Sequence, residues 1–199
     1  IQCYAHMEKY LIWPEAAPVK DTTSVMLPRE EKTFALVEEI IRISSSCLRT
    51  NRIHIGMDEA FYLGTGRYLQ KNGYRDRLQI FVEHLNRVKQ LTDQYGFQPM
   101  IWSDMFFRLA FEGAYYPPEG VKFDPTVVDL VPENVELVYW DYYHDTKEDY
   151  ARQLRRRGCV KTLFAGGVWK WGGWVPNFTK SFHDSVCAAE ACCAYGVQE

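Results

Sequence analysis

Apolar residues recur along this chain with two periods, and the two periods alternate. Phe34, Val37, Ile40 and Ile41 are spaced as one face of a helix within Arg29–Ser46. Leu78, Phe81, Val82, Leu85 and Val88 form the clearest stripe, within Tyr74–Tyr95, and Gly96 marks its end. Two further helices are predicted over Asp145–Arg157, with Asp145 as the cap and Gly158 as the stop, and over Ser181–Tyr195. Between them lie short runs with strand character: Ile1–Tyr4, Ile53–Met57, Gln98–Asp104, Val135–Tyr142 and Lys161–Val168. A loop with Pro14, Pro18 and Pro28 follows the first run, and a long one spans Phe106–Asn134. Strands separated by helices imply parallel pairing and an α/β fold.

Two parallel architectures fit this order, an open doubly wound sheet and a (β/α)8 TIM-type barrel. The doubly wound fold announces itself with a glycine-rich phosphate loop after its first strand, and Gly64-Thr65-Gly66 stands too far past its strand to serve. The barrel instead requires polar groups at the C-terminal ends of several strands. Alternate positions of a strand share a face. Taken that way, the runs end in Tyr4, His6 and Glu8; in His54, Gly56 and Asp58; in Trp102 and Asp104; in Tyr139 and Asp141; and in Gly167 and Trp169. Five strand ends bearing such groups are too consistent for a purely structural face, so the barrel is favoured. A barrel of this kind needs about 250 residues and eight strands. With five strands read, residues 1–199 are expected to form one partial barrel domain, lacking about two strands before Ile1 and one after Glu199.

Composition narrows the chemistry. The chain is 47% hydrophobic and 25% charged, with a net charge of −3, which gives nothing for a polyanion to recognise. No apolar run reaches the ~20 residues that span a bilayer. No nucleic-acid or membrane partner is therefore expected. Six cysteines occur without a CxxC pair or a zinc-like His spacing, so they read as reduced thiols, no metal site is expected, and the balance leans to a cytoplasmic protein. Aromatic residues make up 15%, with 6 Trp and 13 Tyr. Flat rings in loops after strands suit the apolar face of a sugar.

The chemistry concentrates at Asp58 and Glu59, adjacent carboxylates at the tip of an apolar strand. Burying like charges side by side is unfavourable unless they are paired or one holds a proton. Carboxylates ringed by Trp and Tyr suggest glycoside hydrolysis, whose usual pairs sit about 5 Å or more apart across the scissile bond. Adjacent residues do not flank a bond that way. They can serve one face of a site if the strand breaks its alternation, and a substrate that supplies its own nucleophile, a 2-acetamido group, fits that arrangement.

The stretch His54-Ile55-Gly56-Met57-Asp58-Glu59-Ala60-Phe61-Tyr62-Leu63-Gly64-Thr65-Gly66-Arg67-Tyr68 resembles the signature of family 20 glycoside hydrolases, the β-N-acetylhexosaminidases, and is most like their hexosaminidase D branch. The blocks CYAHMEKYL, MIWSDMFFRL, VYWDYYHD and GGVWKWGGW are similar to further blocks of that branch in the same order. The resemblance implies a (β/α)8 barrel, with this chain matching about strand three to helix seven. It implies hydrolysis of terminal nonreducing N-acetyl-β-D-hexosamine residues through an oxazolinium-like intermediate, with a carbohydrate substrate and no cofactor. By the same resemblance Glu59 is the general acid/base and Asp58 orients the acetamido nitrogen. His6 supports the acid/base. Tyr139 binds the acetamido carbonyl oxygen and Asp141 the sugar hydroxyls. Trp102, Trp169 and Trp171 form aromatic walls. The family's early-strand arginine and its eighth strand have no counterpart here.

Three other readings compete. A retaining β-glycosidase would use Asp104 or Asp141 as its nucleophile and ignore the acetamido group. A lectin-like incomplete barrel would bind sugar without turnover. A metal-dependent hydrolase would gather His6, Glu8, Asp58 and Asp104 around an ion, though no spacing compels it.

Overall fold

A computed structural model describes residues 1–110, 113–116, 125–156 and 162–197. The chain divides into two compact units, one of residues 1–115 and 126–135 and the other of residues 116–125 and 136–199.

In the first unit the elements run α1 (Glu8–Leu11), a 3-10 turn (Pro14–Val19), α2 (Glu31–Cys47), β1 (Arg52–His54), α3 (Arg67–Asn72), α4 (Arg77–Gln94), β2 (Gln98–Trp102) and α5 (Asp104–Ala110). Strands β1 and β2 pair in parallel, with Arg52 opposite Gln98 and His54 opposite Met100. Pro99 lacks an N–H, yet the ladder to β1 loses nothing by it. That ladder uses Gln98 N–H to Asn51 O (2.6 Å) and Ile55 N–H to Met100 O (2.8 Å). Pairing continues past the regular strands through Trp102 N–H to Gly56 O at 3.3 Å.

Helix α4 starts where the Asp76 carboxylate accepts the Gln79 N–H (2.9 Å) and ends before Gly96, whose φ of +72° suits glycine. Its buried face is Ile80, Phe81, His84, Leu85 and Val88. His84, absent from the predicted stripe, is fully enclosed: Tyr4 stacks on it (4.0 Å between centroids, 13°) and Phe34 of α2 leans on its edge (5.2 Å). Its Nε2–H donates to Cys3 O (2.9 Å), which leaves Nδ1 buried without a hydrogen-bond partner among the described residues. Phe81 meets Phe106 of α5 edge-on at 5.3 Å, extending the core toward the C-terminal end of β2.

The expected first strand is not one. Residues 1–7 carry no strand, because the segment splits its hydrogen bonds between two neighbours. Cys3 N–H reaches Ile55 O (3.1 Å), Tyr4 O accepts from Met26 N–H (2.9 Å), and the chain then bends through His6 at φ +55°. The third expected strand stops at Trp102, and Asp104 opens α5 inside what the sequence pattern reads as strand and loop.

The second unit holds β3 (Glu136–Trp140), α6 (Lys147–Arg156), β4 (Thr162–Ala165) and α7 (Phe178–Ala194). Strands β3 and β4 are parallel, with Leu137 opposite Thr162 and Trp140 opposite Ala165, and α6 packs on α7. Thr146 rather than Asp145 caps α6. Its Oγ1 accepts the Asp149 N–H (3.2 Å) and donates to the Asp149 carboxylate (2.6 Å), a reciprocal capping pair. Gly158 and Cys159 lie outside the described residues. Asn177, the first residue of a glycosylation-type triplet, uses its side chain to cap α7 at the Lys180 N–H (3.0 Å). Each unit thus carries a parallel strand pair with helices, an α/β arrangement.

The buried imidazole sets an acid limit on the first unit. Burial pushes His84 down to about 4, against 6.5 ordinarily, although its bond to Cys3 O opposes the shift. The unfolded chain therefore takes up a proton in a window where the folded chain does not. The resulting loss of stability begins as pH falls below about 6.5 and is complete near 4, approaching about 3 kcal/mol. Thermal melts from pH 7 to 4 are expected to show His84→Gln flattening that part of the slope. A parallel slope in both proteins would contradict this.

Candidate active site

The polypeptide leaves β1 through a corner that few sequences adopt. Gly56 (φ +70°), Met57 (+68°) and Glu59 (+49°) are all left-handed. For a non-glycine residue this conformation is unfavourable by about 1–2 kcal/mol and persists only when its surroundings enforce it. Two side chains from outside the strand do so. The Gln2 carboxamide lies over Gly56, where a Cβ would come within 2.0 Å of Gln2 Oε1. Oε1 accepts the Met57 N–H (3.2 Å), and Nε2 donates to Asp58 Oδ1 (3.0 Å). Beyond it, Asp104 Oδ2 accepts the Glu59 N–H at 3.0 Å.

The corner breaks the alternation of the strand. Ile53, Ile55 and Met57 are all buried, as expected. Asp58 and Glu59, which regular alternation would send to opposite faces, both reach His6. Its Nε2 stands 3.0 Å from Asp58 Oδ2 and 3.5 Å from Glu59 Oε2. The carboxylates stay partly open, 17% and 33% exposed for their side chains, so they are reachable from outside.

Arg108 of α5 closes the other side. Its Nε is 3.3 Å from Asp104 Oδ2 and its NH2 group 3.9 Å from Glu59 Oε1. NH1 donates to Gly113 O (3.1 Å), and the guanidinium lies over the rings of Phe61 (5.1 Å) and Tyr115 (5.4 Å). Asp104 itself is fully buried. Burial raises its carboxyl to about 6, with Asp58 and Glu59 adding to the rise; the Glu59 amide and Arg108 pull the other way. Trp102 packs its ring on His54 (4.2 Å). His54 Nδ1 accepts the Gly56 N–H (3.1 Å), and burial lowers that imidazole to about 4, keeping it neutral at ordinary pH.

The second unit has its own cluster at the end of β3. Tyr139 is buried and its hydroxyl donates to Asp141 Oδ2, where His144 Nδ1 also bonds at 2.6 Å. Asp141 Oδ1 accepts the backbone N–H groups of Tyr143 (3.1 Å) and His144 (3.3 Å). Burial would raise the Asp141 carboxyl, but these donors outweigh it and hold it below the ordinary carboxylate range. Around it, Trp140 stacks on Tyr142 (5.2 Å, 20°) and Trp169 on Trp171 (5.0 Å, 30°). Trp169 Nε1 donates to Tyr142 O at 2.7 Å, and Trp171 is half exposed.

No protein-family model matches the chain. It is 29% identical over 155 residues to Hexosaminidase D of Homo sapiens, a match covering 73% of this chain and 29% of that protein. It is 26% identical over 155 residues to Hexosaminidase D of Bos taurus, covering 41% of that protein. In sequence the chain is therefore similar to hexosaminidases. It spans less than half the length of these curated relatives. The fold agrees. The β-N-acetylhexosaminidase of Bacteroides fragilis superposes over 88% of this chain and 35% of its own, with a TM-score of 0.55 at 12% identity.

The structure brings together four of the residues singled out from sequence: His6, Asp58 and Glu59, with Asp104 on the Glu59 amide. Trp102 flanks His54 in the same unit, and Tyr139, Asp141, Trp169 and Trp171 fall in the second unit. Sequence reasoning missed Gln2, Arg108 and His144 as partners of these groups. His144 was legible in principle, three residues after Asp141. Gln2 and Arg108 were not, because they meet the carboxylates only through tertiary contact. Of the six cysteines, Cys3, Cys47, Cys187, Cys192 and Cys193 are free thiols, and burial pushes Cys3 up to about 12, which leaves it inert.

The corner generates a stability prediction. Gly56→Ala places a Cβ on the Gln2 carboxamide and keeps φ positive. It is expected to destabilise the first unit by about 1–2 kcal/mol from the backbone alone, with more from displacing Gln2. Urea unfolding of the two proteins measures it, and equal midpoints would show that the corner relaxes freely.

Proposed function

We propose that this chain carries the catalytic carboxylates of a β-N-acetylhexosaminidase that removes terminal nonreducing N-acetyl-β-D-hexosamine residues with retention, the substrate's acetamido group acting as nucleophile. The observation that carries this reading is the meeting of Asp58 and Glu59 at one imidazole, His6. Carboxylates on one side of a site suit a reaction whose nucleophile comes from the substrate, and suit poorly one that needs a second carboxylate across the bond.

In this reading Glu59 protonates the glycosidic oxygen, the bond from that oxygen to the anomeric carbon breaks so that the aglycone leaves as its alcohol, and the acetamido carbonyl oxygen bonds to the anomeric carbon in its place. Positive charge then develops on the oxazolinium-like ring. Asp58 accepts the acetamido N–H and stabilises that charge electrostatically, its own position held by Gln2. Glu59, now ionised, takes a proton from water, and the water oxygen opens the ring at the anomeric carbon. His6 keeps both carboxylates oriented. Trp102 is an aromatic wall. Asp141, Trp169 and Trp171 keep the sugar-binding roles that the family resemblance gives them, and Tyr139 keeps its own by turning its hydroxyl from Asp141 to the acetamido carbonyl oxygen. We further propose that the α/β chain is part of a (β/α)8 barrel, about strand three to helix seven.

Two aryl β-glycosides test the reaction, one with a 2-acetamido group and one with a 2-hydroxyl, using chain shown to be folded by circular dichroism. Turnover of only the acetamido sugar is expected. Comparable turnover of both would overturn the role of Asp58 and point to an enzymic nucleophile, and binding without turnover would make this a sugar-binding chain. On a substrate with a poor leaving group, Glu59→Gln is expected to lose about 100-fold or more in kcat. Asp58→Asn is expected to lose the chemical step even with a good leaving group, and unchanged turnover in it would sink the substrate-assisted mechanism.

A further inference from the structure

The carboxylate nearest the Glu59 backbone belongs to neither of the paired residues. Asp104 is fully buried, and its Oδ2 takes the Glu59 N–H at 3.0 Å and the Arg108 Nε–H at 3.3 Å. Arg108 in turn reaches Glu59 Oε1 at 3.9 Å, and its remaining contacts to Gly113 O, Phe61 and Tyr115 allow it little freedom. Glu59 is thus gripped twice, at its amide through Asp104 and at its carboxylate through Arg108. Both grips come from α5, and Glu59 is one of the left-handed residues that need outside support.

We propose that Asp104 and Arg108 are positioning residues for Glu59, Asp104 acting through the backbone amide and Arg108 through the side chain, so that the orientation of Glu59 depends on the charge of Asp104. This rests on the hexosaminidase reading only where turnover is concerned. A group this buried is expected to be protonated unless a function or a partner holds it ionised. Burial lifts its titration to about 6, within reach of neutral pH. The charged groups facing it are Asp58 and Glu59 from the corner after β1 and Arg108 from its own helix. His6 faces the same two carboxylates, and Asp76 and Arg77 at the start of α4 line the pocket that Arg108 shares. Above its titration point Asp104 accepts both bonds as an anion. Below it, with a proton on the otherwise unpartnered Oδ1, both bonds weaken to those of a neutral acceptor.

The test follows the backbone amide of Glu59 by 1H–15N NMR from pH 4 to 8, which reports on the grip whether or not the chain is active. The amide is expected to titrate with a midpoint near 6. Asp104→Asn is expected to abolish that step, and Arg108→Gln to move the midpoint upward by removing the facing cation. An amide that ignores pH, or that titrates identically in Asp104→Asn, would overturn the proposal. In turnover of the acetamido glycoside, Asp104→Asn is expected to lower kcat about tenfold or more with KM within about twofold. Unchanged kcat would overturn the positioning role. If the amide step behaves as stated and the parent chain hydrolyses no acetamido sugar, the hexosaminidase reading falls and the Asp104–Glu59 coupling stands. Should Asp104→Asn fail to fold, the parent titration and Arg108→Gln decide the matter between them.

Discussion

The left-handed corner after β1 is the constraint on which the first unit's chemistry depends. A strand that kept its alternation would send Asp58 and Glu59 to opposite faces, and His6 would meet only one of them. Positive φ at Gly56, Met57 and Glu59 turns both toward the same imidazole. Such a corner is strained for Met57 and Glu59. It is held by a carboxamide that arrives from residue 2 and a carboxylate that arrives from α5. The strain is therefore local, while its support is spread over segments far apart in sequence.

That support is itself unfavourable. Asp104 carries a buried carboxyl among two other carboxylates, with one oxygen lacking a hydrogen-bond partner among the described residues. A neutral side chain at that position would be easier to fold. What Asp104 does in return is accept the Glu59 amide and the Arg108 Nε–H, and functional sites are where such tensions concentrate. His84 presents the structural version of the same physics. It is just as enclosed, but it stays neutral, sandwiched between aromatic rings and bonded to Cys3 O.

The second unit solves its burial problem differently. Asp141 is enclosed as deeply as Asp104, yet four donors converge on it and hold it ionised. Around it a run of tryptophans and tyrosines stack or meet edge-on, geometries that add to plain area burial. Tyr139 spends its hydroxyl on Asp141, so both residues belong to one hydrogen-bonded group.

Periodicity determined the α/β alternation of the longer elements. The stripes of α2 and α4 and the apolar runs of β1 to β4 are local patterns set by burial on one face, and they appear within a few residues of where the chain alone places them. The adjacency of Asp58 and Glu59, with His6 upstream in its own block, made the carboxylate site legible too. Tertiary structure decided what no local pattern encodes. Residues 1–7 read as a strand because their apolar run suits one, but their hydrogen bonds go to two different neighbours. Asp104 reads as a strand end because Trp102 does, but it opens a helix. Gln2, Asp104 and Arg108 became partners of the carboxylates only when segments separated by 45 to 56 residues closed on one corner, and the left-handed backbone of Glu59 follows from those contacts and not from its own preference.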